Sequence, residues 1–205
     1  ARQHQRSRLR ELLRRLARRS VSEGKVDIAV VGLTEAMSLA HEPSDRVAVL
    51  FDLAQAELAR QRPAAAVDRW QAVLEDDRLR SSSHGESIAG VEANAAIKRM
   101  IEQHGRDVYS MVELRATRAI ADQVEMLNAP ELKRVLQRFP HAQAAANAWI
   151  RLAQLESDAG QLHSASGILT KIAHSAVAPQ ERATATFLKA EFLEAAGYWR
   201  PSYRA

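Results

Sequence analysis

With 205 residues, 46% of them hydrophobic, the chain has enough apolar side chains to build a core and is not a disordered tail. It has no cysteine, which excludes disulfides, thiolate metal sites and thiol nucleophiles, and no apolar run approaches the roughly 20 residues that cross a bilayer. The net charge of +4 is concentrated: residues 1–20 carry +7 and residues 21–205 carry −3, so the basic character belongs to one segment and not to the whole surface.

Residues 7–22 are predicted helical, because Leu9, Leu12, Leu13 and Leu16 follow the i, i+3, i+4, i+7 pattern of one apolar face. Gly24 supplies a turn into a second helix over about 25–40, with Val26, Ala29, Val30, Leu33, Met37 and Leu39 inward. Pro43 is expected to end that hairpin and Ser44 to cap the next helix, 45–60. Pro63 opens helix 63–76, where its missing N–H costs nothing. The run Arg80-Ser-Ser-Ser-His-Gly85 reads as a loop.

Two longer helices, about 86–104 and 107–127, are expected on either side of Gly105, with Asp107 as a cap. Asn128-Ala-Pro130 starts a short helix that Pro140 stops. The last section is the most regular: helices 142–158, 162–175 and 179–196, punctuated by Gly160, Pro179 and Gly197. No segment alternates with period two over a strand length, so no β-sheet is expected.

Four segments share one pattern. Leu16-Ala17, Gly24 and Ala29 recur as Leu53-Ala54, Gln61 and Ala66, 37 residues later. Leu152-Ala153, Gly160 and Ala165 recur, again at 37 residues, as Lys189-Ala190, Gly197 and Ser202. Small residues at fixed places with such a period mark stacked helical hairpins, in which small side chains let paired helices approach and bulky ones fill the gaps. Trp149, Leu152, Ala153, Gly160, Ala165 and Leu169 show the order most fully; Leu50, Leu53, Ala54, Ala66 and Trp70 show it earlier, with Gln61 in place of the turn glycine.

In this the chain resembles tetratricopeptide repeats. The expected architecture is an all-α, right-handed solenoid of antiparallel helix hairpins with about ten helices: residues 1–80 an N-terminal repeat pair, 81–140 irregular longer helices, and 141–205 C-terminal repeats. Residues 81–140 depart from the repeat. The order Trp70-Gln71, His104-Gly105-Arg106, Val108-Tyr109 and Phe139-Pro140 also resembles helical regions of large bacterial proteins that carry PQQ-type β-propellers. That resemblance implies an interaction arm of an envelope-associated or periplasmic protein. A start at Ala1 and a fourth repeat that stops in mid-hairpin at Ala205 suggest a piece of a longer protein.

Within the tetratricopeptide resemblance, the first helices of successive units line a concave groove. It implies a partner-binding surface at Arg14, Arg18, Phe51, Gln55, Asn147, Ile150 and Gln154, joined by Phe187 and Glu191. Members that hold a peptide carboxylate use Lys and Asn there. Phe51 and Ile150 stand for the Lys here, and Gln55 and Gln154 for the Asn, which argues against capture of a C-terminal carboxylate and for an extended segment or a helix.

The arginines form a second candidate. Arg6, Arg10, Arg14 and Arg18 are spaced by four on one face, widened by Arg8, Arg15 and Arg19. Such a patch suits an acidic protein, nucleic acid or anionic lipid. The competing reading is a solvated face on a helix whose leucines pack on residues 25–40, and the lack of aromatics in residues 1–50 disfavours base stacking.

The seven histidines lack metal-ligand spacing, Glu75-Asp76-Asp77 reads as a helix-end acid run, and Ser81-Ser82-Ser83 beside His84 has no nucleophile elbow around it. No catalytic residue, metal or cofactor is assigned. Trp70 and Trp149 read as core, while Tyr198, Trp199 and Tyr203 make the C-terminal end a candidate for self-association. The expected function is a non-catalytic protein–protein interaction or scaffold module, with a basic helix docking on nucleic acid or anionic membrane as the alternative.

Overall fold

The computed structural model describes residues 2–121, 128–173, 179–195 and 197. The recurrence seen in the sequence is a recurrence of backbone geometry. Gly24, Gln61 and Gly160 all take a left-handed φ, +76°, +57° and +78°. Each closes a helix in the same way. Its own N–H donates to the carbonyl three residues back, at 3.0, 2.9 and 2.8 Å, and the following N–H donates to the carbonyl five residues back, at 2.8, 2.9 and 2.8 Å. This paired bonding satisfies carbonyls that a helix end otherwise leaves open. Gly197 repeats the positive φ at +72°. The small residues of the first three copies, Ala17, Ala29, Ala54, Ala66, Ala153 and Ala165, are all buried, and Ala190 of the fourth is half-buried. Ser202 lies outside the described residues.

The fold is all-α, with contacts mainly between consecutive helices. The chain divides into two compact units, Ala1–Val112 and Glu113–Ala205. In the first, α1 (Arg2–Ser22) packs on α2 (Val26–Ser38), α2 on α3 (Pro43–Ala59), and α3 on α4 (Pro63–Glu75). A short α5 (Asp77–Ser81) and a tight hairpin then lead to α6 (Ala89–His104), which lies against α4. A 3-10 turn, Arg106–Tyr109, follows and packs on both. The core of the first three helices is Ala17, Ala29, Leu33, Ala36, Val49, Leu53 and Ala56. Further on, Tyr109 donates its buried hydroxyl to Gln71 Oε1 at 3.3 Å, tying the turn to α4.

The division falls within α7 (Ser110–Ala121). The second unit continues with α8 (Ala129–Arg138), α9 (Ala145–Asp158), α10 (Leu162–Ala173) and α11 (Pro179–Ala195), each packed on the next. Asn128 caps α8, its side chain accepting from Glu131 N at 3.1 Å. Glu113 accepts from Gln143 N and Ala144 N, at 3.0 and 3.1 Å, just before α9, where donors would otherwise be open. Ile150, Ala153, Ala165, Leu169, Ile172 and Ala185 form the core, with Trp149 and Phe192 against it.

Four expectations are corrected. Pro43 does not end the first hairpin but opens α3, with Glu42 and not Ser44 at the cap position. A proline's fixed φ and missing N–H suit the first helical residue. Asp107 does not cap α7, because Gly105 leads into the 3-10 turn ahead of it. A small β-hairpin exists: Ser83 pairs with Ile88 and His84 with Ser87, antiparallel, around Gly85 at φ +59°. Two-residue strands are too short to show alternation, and the two-residue loop with glycine first makes the hairpin.

Lastly, the leucine stripe packs only in part. Leu13 meets the core with Ala17 and Val21, while Leu9, Leu12 and Leu16 are 45%, 53% and 52% exposed. The helix is turned so that its arginines, rather than these leucines, meet a neighbour.

Candidate functional site

The arginine face of α1 is directed at α3. Arg10 pairs with Asp45. Arg14 Nε donates to Asp52 Oδ2 at 2.7 Å, and Arg18 Nε donates to Oδ1 of the same carboxylate at 2.9 Å. Arg14 and Asp52 are nearly buried, at 12% and 11% exposure. The solvated-face reading therefore does not hold for Arg10 and Arg14. Spacing by four places these cations on one side of α1, and Asp45 and Asp52, seven apart on α3, present their carboxylates at matching heights. Arg6, Arg8, Arg15 and Arg19 stay exposed, with Arg15 and Arg19 paired to Glu11 and Glu23 on their own helix or just past its end.

A groove of about 520 Å³ lies among α3, α4 and α6. From α3 it takes Phe51 and Gln55, two of the positions implied by the repeat resemblance, and from α4 it takes Trp70. The opposite side is α6, with Glu92, Ala95, Ala96, Lys98, Arg99 and Glu102. Glu92, Ala95, Ala96 and Arg99 stand at i, i+3, i+4 and i+7, one continuous stripe of a helix. His84, on the hairpin before α6, stacks its ring on Phe51 with centroids 4.1 Å apart and planes 25° apart. His84 Nε2 is 3.6 Å from Glu92 Oε2, too far for a hydrogen bond.

Trp70, 2% exposed, lines the groove from the core side, and its buried Nε1–H has no acceptor among the described residues. One group at this groove is open to a ligand. Arg99 is exposed and has no ion-pair partner among the described residues, whereas its neighbour Lys98 is 3.8 Å from Glu102.

The other expected groove residues are in the second unit. Asn147 is exposed on α9, Gln154 is half-buried, and Ile150 is part of the core. Phe187 and Glu191 are exposed on α11. Tyr198, Trp199 and Tyr203 lie outside the described residues, and with them the C-terminal self-association surface. The acid run serves structure, since Asp76 caps α5 by accepting from Arg78 N and Leu79 N and Asp77 pairs with Arg80. Ser81 and Ser82 bond back to α5 carbonyls. Among the described residues no three His, Asp or Glu side chains lie together to hold a metal ion.

Half of the groove was missed by sequence reasoning. The α6 residues sit in 81–140, where the repeat pattern fails. The signal was present as a pair of alanines, Ala95 and Ala96, between the charges of Glu92 and Arg99. Comparison with known protein families, with curated proteins and with solved structures finds no match.

Proposed function

We propose that this chain is a non-catalytic protein–protein interaction or scaffold module of a larger protein, a tetratricopeptide-like right-handed solenoid whose working surface in the first unit is the α3–α4–α6 groove. The observation that carries the reading is the groove's composition. The half-buried Phe51 ring, the Trp70 indole and an alanine pair on α6 offer apolar contact beside the exposed polar side chains of Gln55 and Arg99, as peptide grooves do. The narrower resemblance to helical regions of propeller-bearing bacterial proteins agrees with an arm of this kind. Selection of short random peptides displayed on phage against the whole chain tests it. Ala95→Arg, a change at an exposed helical position that fills the groove, should abolish capture while leaving the unfolding midpoint unchanged; binders indifferent to it would overturn the proposal.

A second reading has one observation in its favour. Leu9, Leu12 and Leu16 are exposed on the same helix as the exposed Arg8, Arg15 and Arg19, a combination that suits an anionic membrane surface. Cosedimentation with phosphatidylserine vesicles, lost in Leu12→Glu, would favour it. Nucleic acid fits less well, because Arg10, Arg14 and Arg18 already hold carboxylates.

A further inference from the structure

Resting on that reading, we infer that the groove selects a partner segment in which a bulky apolar residue is closely followed or preceded by an acidic one, with the acid on Arg99. The charges of the groove decide this. Lys98 has Glu102 beside it, so the cation left for a ligand is Arg99. Glu92 lies seven residues back along α6, about 10 Å away at 1.5 Å per residue. An incoming carboxylate is drawn to the Arg99 end and repelled from the Glu92 end, which orients the segment along the helix. Between the two ends, Ala95 and Ala96 face Phe51 and Trp70 across a space that an apolar side chain fills. This recognition comes from α6 and α4, and not from the α3 positions at which the repeat family places its carboxylate-binding side chains.

The role of Arg99 separates from a structural one. Arg99 is exposed and has no ion pair among the described residues, so replacing it removes no internal salt bridge.

The test uses the same phage-displayed peptide library on the wild-type chain and on Arg99→Glu, with the selected sequences read out. We expect wild-type selections in which Asp or Glu is enriched within two positions of Leu, Ile, Phe or Trp. Synthetic versions should bind Arg99→Glu at least tenfold more weakly, and the variant should select Lys or Arg at that place. Groove binders blocked by Ala95→Arg but without acid enrichment, or held equally by Arg99→Glu, would overturn the inference and leave the interaction reading standing. Absence of any binder blocked by Ala95→Arg would overturn both.

Discussion

Arg14 on α1 reaches Asp52 on α3, 38 residues away, with Nε 2.7 Å from Oδ2 and both side chains nearly buried. Arg18 closes on the other oxygen of the same carboxylate. Two planar guanidinium groups on one acid give directional bonds, and their geometry sets how α1 is rotated against its neighbours. Removing the acid leaves the nearly buried Arg14 with only the more exposed Glu11 as counter-charge, at 3.1 Å. Asp52→Ala should therefore cost about 2–3 kcal/mol in urea unfolding. Arg15→Ala, at an exposed i,i+4 pair, should cost less than about 0.5 kcal/mol. Equal effects would mean that the clamp does not orient the helix.

Gln61 occupies the left-handed turn position that glycine fills at 24 and 160. A side chain there meets the backbone, a strain of about 1 kcal/mol. Gln61→Gly should raise the thermal midpoint slightly, a net stabilisation of up to about 0.5 kcal/mol after the extra unfolded-state freedom of glycine is counted. Gly24→Ala should act in the opposite direction. A loss of stability in Gln61→Gly would show that the glutamine side chain makes a compensating contact.

Gly90, at the start of α6, lies against Arg80 of α5. A Cβ built there would stand 2.5 Å from Arg80 Cγ and 2.8 Å from Arg80 O. The side chain can swing away, but the carbonyl cannot move without its helix. Gly90→Ala should destabilise by about 1–3 kcal/mol, as overpacking does. Hydrogen exchange should quicken first across residues 77–90. Gly167→Ala, which meets nothing within 4 Å, is the control and should be neutral or slightly stabilising.

The Glu23 carboxyl is held below its ordinary value, first by Lys25 and then by Arg19. A depressed folded value means that the contribution to stability is present above the unfolded value and fades as pH falls through the folded one. In carbon-detected NMR titration, Lys25→Ala should raise the Glu23 midpoint more than Arg19→Ala does. The reverse order would assign the shift to the wrong partner. Glu23 is exposed, so high salt should narrow the difference between the variants.

The repeat was legible because its chemistry is local. A positive φ admits glycine most easily, and a close helix pair admits alanine, so both leave marks at fixed spacing. Phe51 and Gln55 were placed on a groove by the tetratricopeptide resemblance, which puts the first helices of successive units along one. The other wall could not be placed, because α6 lies where the recurrence stops and which side of it faces α3 and α4 depends on how they pack. His84 on Phe51 was hidden likewise, since a two-residue strand pair leaves no periodic trace.

Helix positions, turns and the all-α class follow from residues within a few places of one another, and the chain states them directly. The rotation of α1 does not. Its wheel carries a leucine side and an arginine side, and either could have met a neighbour. The choice lies with Asp45 and Asp52, 35 and 38 residues away from the arginines they hold. Burying charge is favourable only when a counter-charge arrives in the right geometry, and that meeting exists only once the three helices are packed. The same holds for Trp70, whose core position could be read from spacing but whose unpaired N–H appears only when the surrounding side chains are in place.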